Sequence, residues 1–130
     1  MQAIQTIINM KLSQYETIGA ENIQQLIHDF YQEIRKDKIL SPMYRGDFEA
    51  AEERLHWFMI QYLGGPETYN EKRGHPQLRK RHKSFIINEE AKVAWLNNMQ
   101  AALAKSKIDT IHKDFLWKYF QQTAEFLRNS

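Results

Sequence analysis

Residues 74–82 read Gly74-His75-Pro76-Gln77-Leu78-Arg79-Lys80-Arg81-His82, and Lys83, Ser84 and Phe85 follow. A very short helix is expected here, from about Gln77 to His82. On a helix, Leu78 and His82 stand four residues apart and share a face, and Phe85 lies three residues further on. An imidazole on an apolar face, flanked by Arg79, Lys80, Arg81 and Lys83, suits a group that is apolar in its body and anionic at its rim. The plainer reading is a solvated basic loop with an incidental histidine. On composition alone that is the commoner case, so the surrounding chain has to decide.

Outward from this stretch the chain reads as helices. Ile23, Leu26, Ile27, Phe30, Tyr31 and Ile34 fall at offsets 0, 3, 4, 7, 8 and 11, one helical face, within a helix from about Glu21 to Asp37. A short helix from Leu12 to Ile18 would stop at Gly19, where glycine permits a left-handed end. Phe48 to Leu63 carries the stripe Ala51, Leu55, Phe58, Met59 and Tyr62, with Asp47 as cap and Gly64-Gly65-Pro66 as a sharp stop. Gly64 to about Pro76 is expected to be a long loop, of the kind that serves a purpose in a compact domain. Asn88 caps a further helix with Glu89 and Glu90 in its first turn. Its stripe is Ala91, Trp95, Leu96, Met99, Ala102 and Leu103. A last helix from near Asp109 is expected to bury Ile111, Phe115, Leu116, Phe120, Ala124 and Leu127. Ile4, Ile7 and Ile8 suggest a short extra helix in residues 1–13.

The 130 residues fit one all-α domain. With 42% hydrophobic and 26% charged residues the composition is that of an ordinary globular protein. The absence of cysteine excludes a disulfide scaffold, thiolate metal sites, a catalytic cysteine and thioether-linked haem. Eighteen Lys and Arg against 16 Asp and Glu leave a net charge of +2, too balanced for a whole-surface nucleic-acid binder. No apolar run is long enough for a transmembrane helix. The start MQAIQTIINMKL does not read as a secretory signal, so cytoplasm is the expected compartment.

Haem has the chemistry that the His82 stretch suits. Its ring wants apolar walls, its iron an imidazole and its propionates cations. Of the other histidines, His28 and His112 are expected to be partly exposed, and His56, about 100° from the Leu55 stripe, to sit at a surface or rim. His75 completes the five. Tyr31, Tyr44 and Trp95 each carry a donor on a large apolar body. If the helices of Tyr31 and Trp95 meet, those donors converge on one cavity. Otherwise they are packing residues.

The order of motifs resembles the group II, O-type, truncated haemoglobins. Phe30-Tyr31, Pro42-Met43-Tyr44, Tyr62 to Pro66, Tyr69, the stretch from Gly74 to His82, Phe85, Ile87 and Ala91 to Trp95 carry the resemblance over about Tyr15 to Phe126. It implies a two-over-two α-helical sandwich with a very short proximal F helix, around a non-covalent b-type haem. Residues 15–130 would be the truncated globin domain and residues 1–14 an N-terminal extension. His82 would be the proximal iron ligand, and Tyr31, Tyr44 and Trp95 would stabilise the distal ligand. Ala51, Leu55 and Phe58 would line the distal pocket. Tyr69, Leu78, Arg81, Phe85 and Met99 would contact the cofactor, Arg81 and Tyr69 at the propionates. Ala51 and Leu55 stand where many relatives have a donor, a combination found in one branch of the group.

The resemblance implies binding of dioxygen, CO and NO, or reaction with peroxide. Slow oxygen release favours redox detoxification, nitric oxide dioxygenation or peroxidase-like, over bulk transport, and turnover would need a reductase. No nucleic-acid or membrane partner is expected, and the chain would be a monomer or weak homo-oligomer. The competing expectation is a haem-free helical module that offers the basic segment 72–83 to an anionic partner. A haem sensor or carrier without turnover is a third.

Overall fold

In the structure, a computed structural model that describes residues 13–83 and 85–130, every regular element is helical. Helices α1 (Gln14–Ile18), α2 (Ala20–Ile34), α3 (Phe48–Tyr62), α4 (Thr68–Arg73), α5 (Leu78–Arg81), α6 (Glu89–Lys105) and α7 (Thr110–Leu127) follow in order, with a 3-10 turn over Ser41–Tyr44. Four helices start on a capping side chain. Ser13 accepts from the Glu16 amide at 3.1 Å, Asp47 from Ala50 at 3.3 Å, Asn88 from Ala91 at 2.9 Å and Asp109 from His112 at 2.9 Å. Each such cap is worth about 1 kcal/mol.

The apolar face of α2 is buried at all six expected positions. It packs on α3 to one side and on α6 to the other, and α6 packs on α7. This is the two-over-two arrangement, α2 with α3 against α6 with α7. Phe30, Ile27, Met59, Met99, Leu116 and Phe120 are almost completely buried where the two layers meet. Each large apolar side chain so buried stabilises the fold by about 1.5–3 kcal/mol. Gly65 lets α1 close on the end of α3. A Cβ there would stand 2.7 Å from the Tyr15 ring and 2.8 Å from the Ile60 carbonyl oxygen.

Three expectations are corrected. The segment 64–76 is not one loop, because α4 lies inside it. Tyr69 is buried, and the Gln61 side chain grips α4 through the Asn70 amide at 2.9 Å and the Asn70 carboxamide at 3.0 Å. Glu71 in its first turn with Lys72 and Arg73 in its last suits the helix dipole, and Gly74 ends it at φ +75°. Ile111 is 78% exposed. It stands nine residues from the buried Phe120, which is half a turn round the helix. Tyr62, the last residue of α3, is 43% exposed rather than inward, with its ring against those of Phe58 and Tyr119. The expected helix around Ile4, Ile7 and Ile8 lies outside the described residues.

Candidate functional site

A cavity of about 650 Å³ lies between α3 and α7. The two helices meet at one end, where the Tyr62 and Tyr119 rings stack at 4.0 Å, and elsewhere both face the cavity. Tyr31, Tyr44, Ala51, Leu55, Phe58, Tyr69, Leu78, Arg81, His82, Phe85 and Trp95 all line it. Its size is within the usual range for a small-molecule site. Met99 does not line it. The expected cofactor contact is completely buried in the core between the layers.

The wall formed by α5 is short and held by hydrogen bonds. His82 is half-buried, and its Nδ1 lies 2.7 Å from the Leu78 carbonyl oxygen. A carbonyl only accepts, so Nδ1 is the donor, and in the neutral imidazole Nε2 keeps its lone pair. Before this turn Gln77 takes a left-handed conformation at φ +44°, strained for a residue with a Cβ. Arg81 braces it. Its Nε donates to the Pro76 carbonyl at 2.7 Å, and its Nη2 donates to those of Arg73 at 2.6 Å and His75 at 3.3 Å. The guanidinium also lies over the Tyr69 ring, 5.6 Å from its centroid. Arg81 thus lines the cavity as expected, but it spends these donors on the backbone. Beyond His82, Asn129 clamps the chain. Its carboxamide accepts from the Ile87 amide at 2.8 Å and donates to the Phe85 carbonyl at 2.9 Å, and its amide donates to the Ile87 carbonyl at 2.9 Å.

A second wall comes from α2, the 3-10 turn and α6. Tyr31 is buried, edge-on to Phe30 at 5.0 Å and to Tyr44 at 5.6 Å. Burial raises its hydroxyl well above the ordinary phenol range, and the neighbouring Tyr44 adds to the effect. Burial pushes Tyr44 up to about 12, against the hydrogen bond with Tyr31. Both hydroxyls therefore keep their protons at neutral pH. Trp95 packs between Phe30 at 4.8 Å and Phe120 at 5.5 Å. Ala51 and Leu55 complete this side with no polar atom.

Arg45, Arg54, Arg73 and Lys92 add cations to the lining. Lys92 is already paired, with Glu125 at 2.7 Å and Glu89 at 3.2 Å. From α7, Tyr119, Thr123 and Ala124 line the cavity, and sequence reasoning gave them no such role. Ala124 belongs to the apolar stripe itself, and the signal for Tyr119 and Thr123 was a second stripe on α7, one position off it. The remaining histidines stand apart from the cavity lining. His28 faces Glu52 at 3.2 Å and His112 faces Asp109 at 2.8 Å. His56 is half-buried, which holds its imidazole below the usual range, and His75 is exposed. Among the described residues no cluster of His, Asp and Glu is placed to hold a bare metal ion, and no helix is long and apolar enough to cross a membrane.

These residues fit a haem. One imidazole keeps a free lone pair and a fixed tautomer, the walls are apolar and aromatic, and arginines are at hand for carboxylates. That does not favour the haem-free reading of the basic segment, since Arg73 and Arg81 belong to the cavity.

Comparison with known proteins agrees. The model of the bacterial-like globin family matches residues 13–129. Group 2 truncated hemoglobin YjbI of Bacillus subtilis is 36% identical over 115 residues, 88% of this chain and 87% of the relative. A thermostable hemoglobin from Thermobifida fusca superposes with a TM-score of 0.88 at 39% identity, over 91% of this chain and 98% of that one. A truncated oxygen-avid haemoglobin from Bacillus subtilis does so at 0.87 and 35%, over 91% and 100%. With its cavity framed by two helix pairs and its sequence matched almost end to end, this chain belongs to the bacterial-like globin family, among the group 2 truncated haemoglobins.

Proposed function

We propose that this globin holds a b-type haem through His82 and reversibly binds dioxygen, CO and NO. We further propose that it releases oxygen slowly and serves redox detoxification rather than bulk oxygen transport. One observation carries the reading. The Nδ1 of His82 is committed to the Leu78 carbonyl, so Nε2 is left as a ligand in a cavity that also holds three hydrogen-bond donors.

When bound, the haem supplies a ferrous iron that accepts a diatomic ligand, and one-electron redox chemistry. The protein does the rest. The bond to Leu78 fixes the imidazole tautomer and its orientation, as the outer partner of a metal-bound histidine does. Leu78, Phe85, Leu55 and Phe58 supply apolar walls that exclude water. Arg45, Arg54 and Arg73 offer charge to propionates. Tyr31, Tyr44 and Trp95 donate to a ligand that carries negative charge, and Ala51 and Leu55 add no donor. Hydrogen bonds to charged groups are worth about 1.5–3 kcal/mol each. Two of them slow escape by roughly two to four decades. The similarity to a haemoglobin described as oxygen-avid supports slow release.

A ligand held that long is better placed to react than to be delivered. Nitric oxide and dioxygen combine to nitrate with the uptake of one electron, which an external reductant has to supply. The test is the absorption spectrum of the haem-loaded protein in ferric, reduced and CO-bound forms. A stoichiometric Soret band that shifts to a histidine-ligated CO form is expected. Failure of haem to bind saturably overturns the reading.

A further inference from the structure

The basic charge of this chain is concentrated behind His82. From Lys72 to Asn88 there is no Asp or Glu, and six of the 18 Lys and Arg fall there. The rest of the chain therefore holds twelve cations, eighteen less six, against all 16 acids. A net charge of +2 conceals a positive end on an otherwise negative molecule.

Within that end, Arg81 is committed to backbone carbonyls and Arg73 lines the cavity. Arg79, Lys80 and Lys83 are exposed and line a second, outward-facing groove with Ile86 and Leu127. Ile86 is 70% exposed, and Phe126 beside the groove is 53% exposed. The Arg79 guanidinium sits 4.9 Å over the Phe126 ring and ties the basic turn to α7. Asn129 holds the backbone of Phe85 and Ile87 in place, so Ile86 is presented on a fixed segment. An apolar centre with a charged rim is the anatomy of a protein interface.

We propose that this face docks an acidic one-electron redox protein that reduces the haem iron. The proposal rests on the haem reading above. Arg79 and Lys80 lie on the turn that ends in His82, so a partner on this face stands directly behind the iron ligand. In the step, one electron leaves the partner and ferric iron becomes ferrous. No bond to protein forms or breaks. The groove is concave and its helix is one turn long, which suits side chains of a protein better than the plane of a bilayer. Steering between opposite charges raises association rates by 10- to 1000-fold and fades with salt.

The experiment uses the haem-loaded protein and an acidic flavodoxin as probe. It compares wild type with Lys80→Glu/Lys83→Glu, and with the charge-matched control Lys107→Glu/Lys118→Glu. The Kd of the oxidised probe is measured by calorimetry, and the second-order reduction rate under CO by stopped flow, across ionic strength. The groove variant is expected to lose at least about ten-fold in both at low salt and to converge on wild type at high salt. The control is expected to change less than two-fold. Reduction by a neutral photoreduced deazaflavin and the Soret spectrum are expected to be unchanged in all three. Equal loss in both variants overturns the proposal, because net charge then suffices. So does no loss in either. Loss of binding to anionic phospholipid vesicles by the groove variant alone, with probe binding intact, overturns it in favour of a membrane surface. Failure of the wild type to hold haem refutes the parent reading instead.

Discussion

The two walls of the cavity are built on different principles. The wall with Tyr31 and Trp95 is an extension of the core, on α2 and α6, long helices whose positions are set by packing. The wall with His82 rests on a helix of four residues, Leu78–Arg81, too short to hold itself. It is fixed by Arg81 on one side and Asn129 on the other, through bonds to backbone carbonyls and amides. Packing brings the two tyrosine hydroxyls together and ties them to each other rather than to the backbone. Hydrogen bonding to the backbone leaves His82 one tautomer. A ligand for iron needs the second kind of support, and a site for varied small molecules needs the first.

The sharpest break of this contrast is His82→Ala. It removes the one committed nitrogen, and the histidine-ligated CO spectrum should disappear with at least a 100-fold loss in haem affinity, judged against the 10- to 100-fold cost of losing only an outer partner. On the packed wall, Trp95→Phe keeps the ring and removes the donor. The oxygen off-rate, read by stopped flow, should rise roughly 10- to 100-fold. An unchanged rate would show that the tyrosines alone hold the ligand. A double-mutant cycle of Tyr31→Phe and Tyr44→Phe should give a coupling of about 0.5–3 kcal/mol in the same off-rate.

On the braced wall, Arg81→Lys keeps the charge but cannot span three carbonyls. It should cost about 1–2 kcal/mol in urea unfolding and speed amide exchange around Gln77, with the Tyr31 side untouched. Uniform loss of protection across both walls would contradict the division. The smallest effect, between pH 7 and 9, is that of pH. Burial raises Tyr44 from 10.0 to about 12 and raises Tyr31 well above its ordinary value. The unfolded chain therefore ionises first. Stability should be flat from pH 7 to 9 and fall as pH rises above 10 toward the folded values.

The packed wall was legible in the sequence, because a helix declares its face. All six apolar positions predicted on α2 are buried, and Trp95 lines the cavity from the face read for it. The apolar and basic neighbours of His82 suit a haem ligand, but only the order of motifs along the chain set it apart from a solvated basic loop. Periodicity was weaker where a stripe serves two surfaces. Met99 belongs to the same stripe as Trp95, yet it lies one turn on, inside the core. Ile111 looked like a member of the α7 stripe because it is apolar, while its angle puts it opposite Phe120. The braced wall was least legible. Gly64, Gly65 and Pro66 hid α4, and nothing local announces that Gln61 will grip Asn70 or that Arg81 will turn to the carbonyls of Arg73, His75 and Pro76. Such bonds depend on where the backbone has already gone.

The clamp at Asn129 has a consequence for the order of folding. Its bonds join residues 42 and 44 apart in the chain. Closing so long a stretch costs more entropy than forming a helix turn, and nothing repays it until α7 is in place. Helices α2 and α3 can pair early, through contacts that are closer in sequence. The imidazole segment is locked only after the last helix docks. A chain emerging from the ribosome would thus build the wall with Tyr31 first and the wall with His82 last, and on the proposed reading haem capture would mark the completed protein.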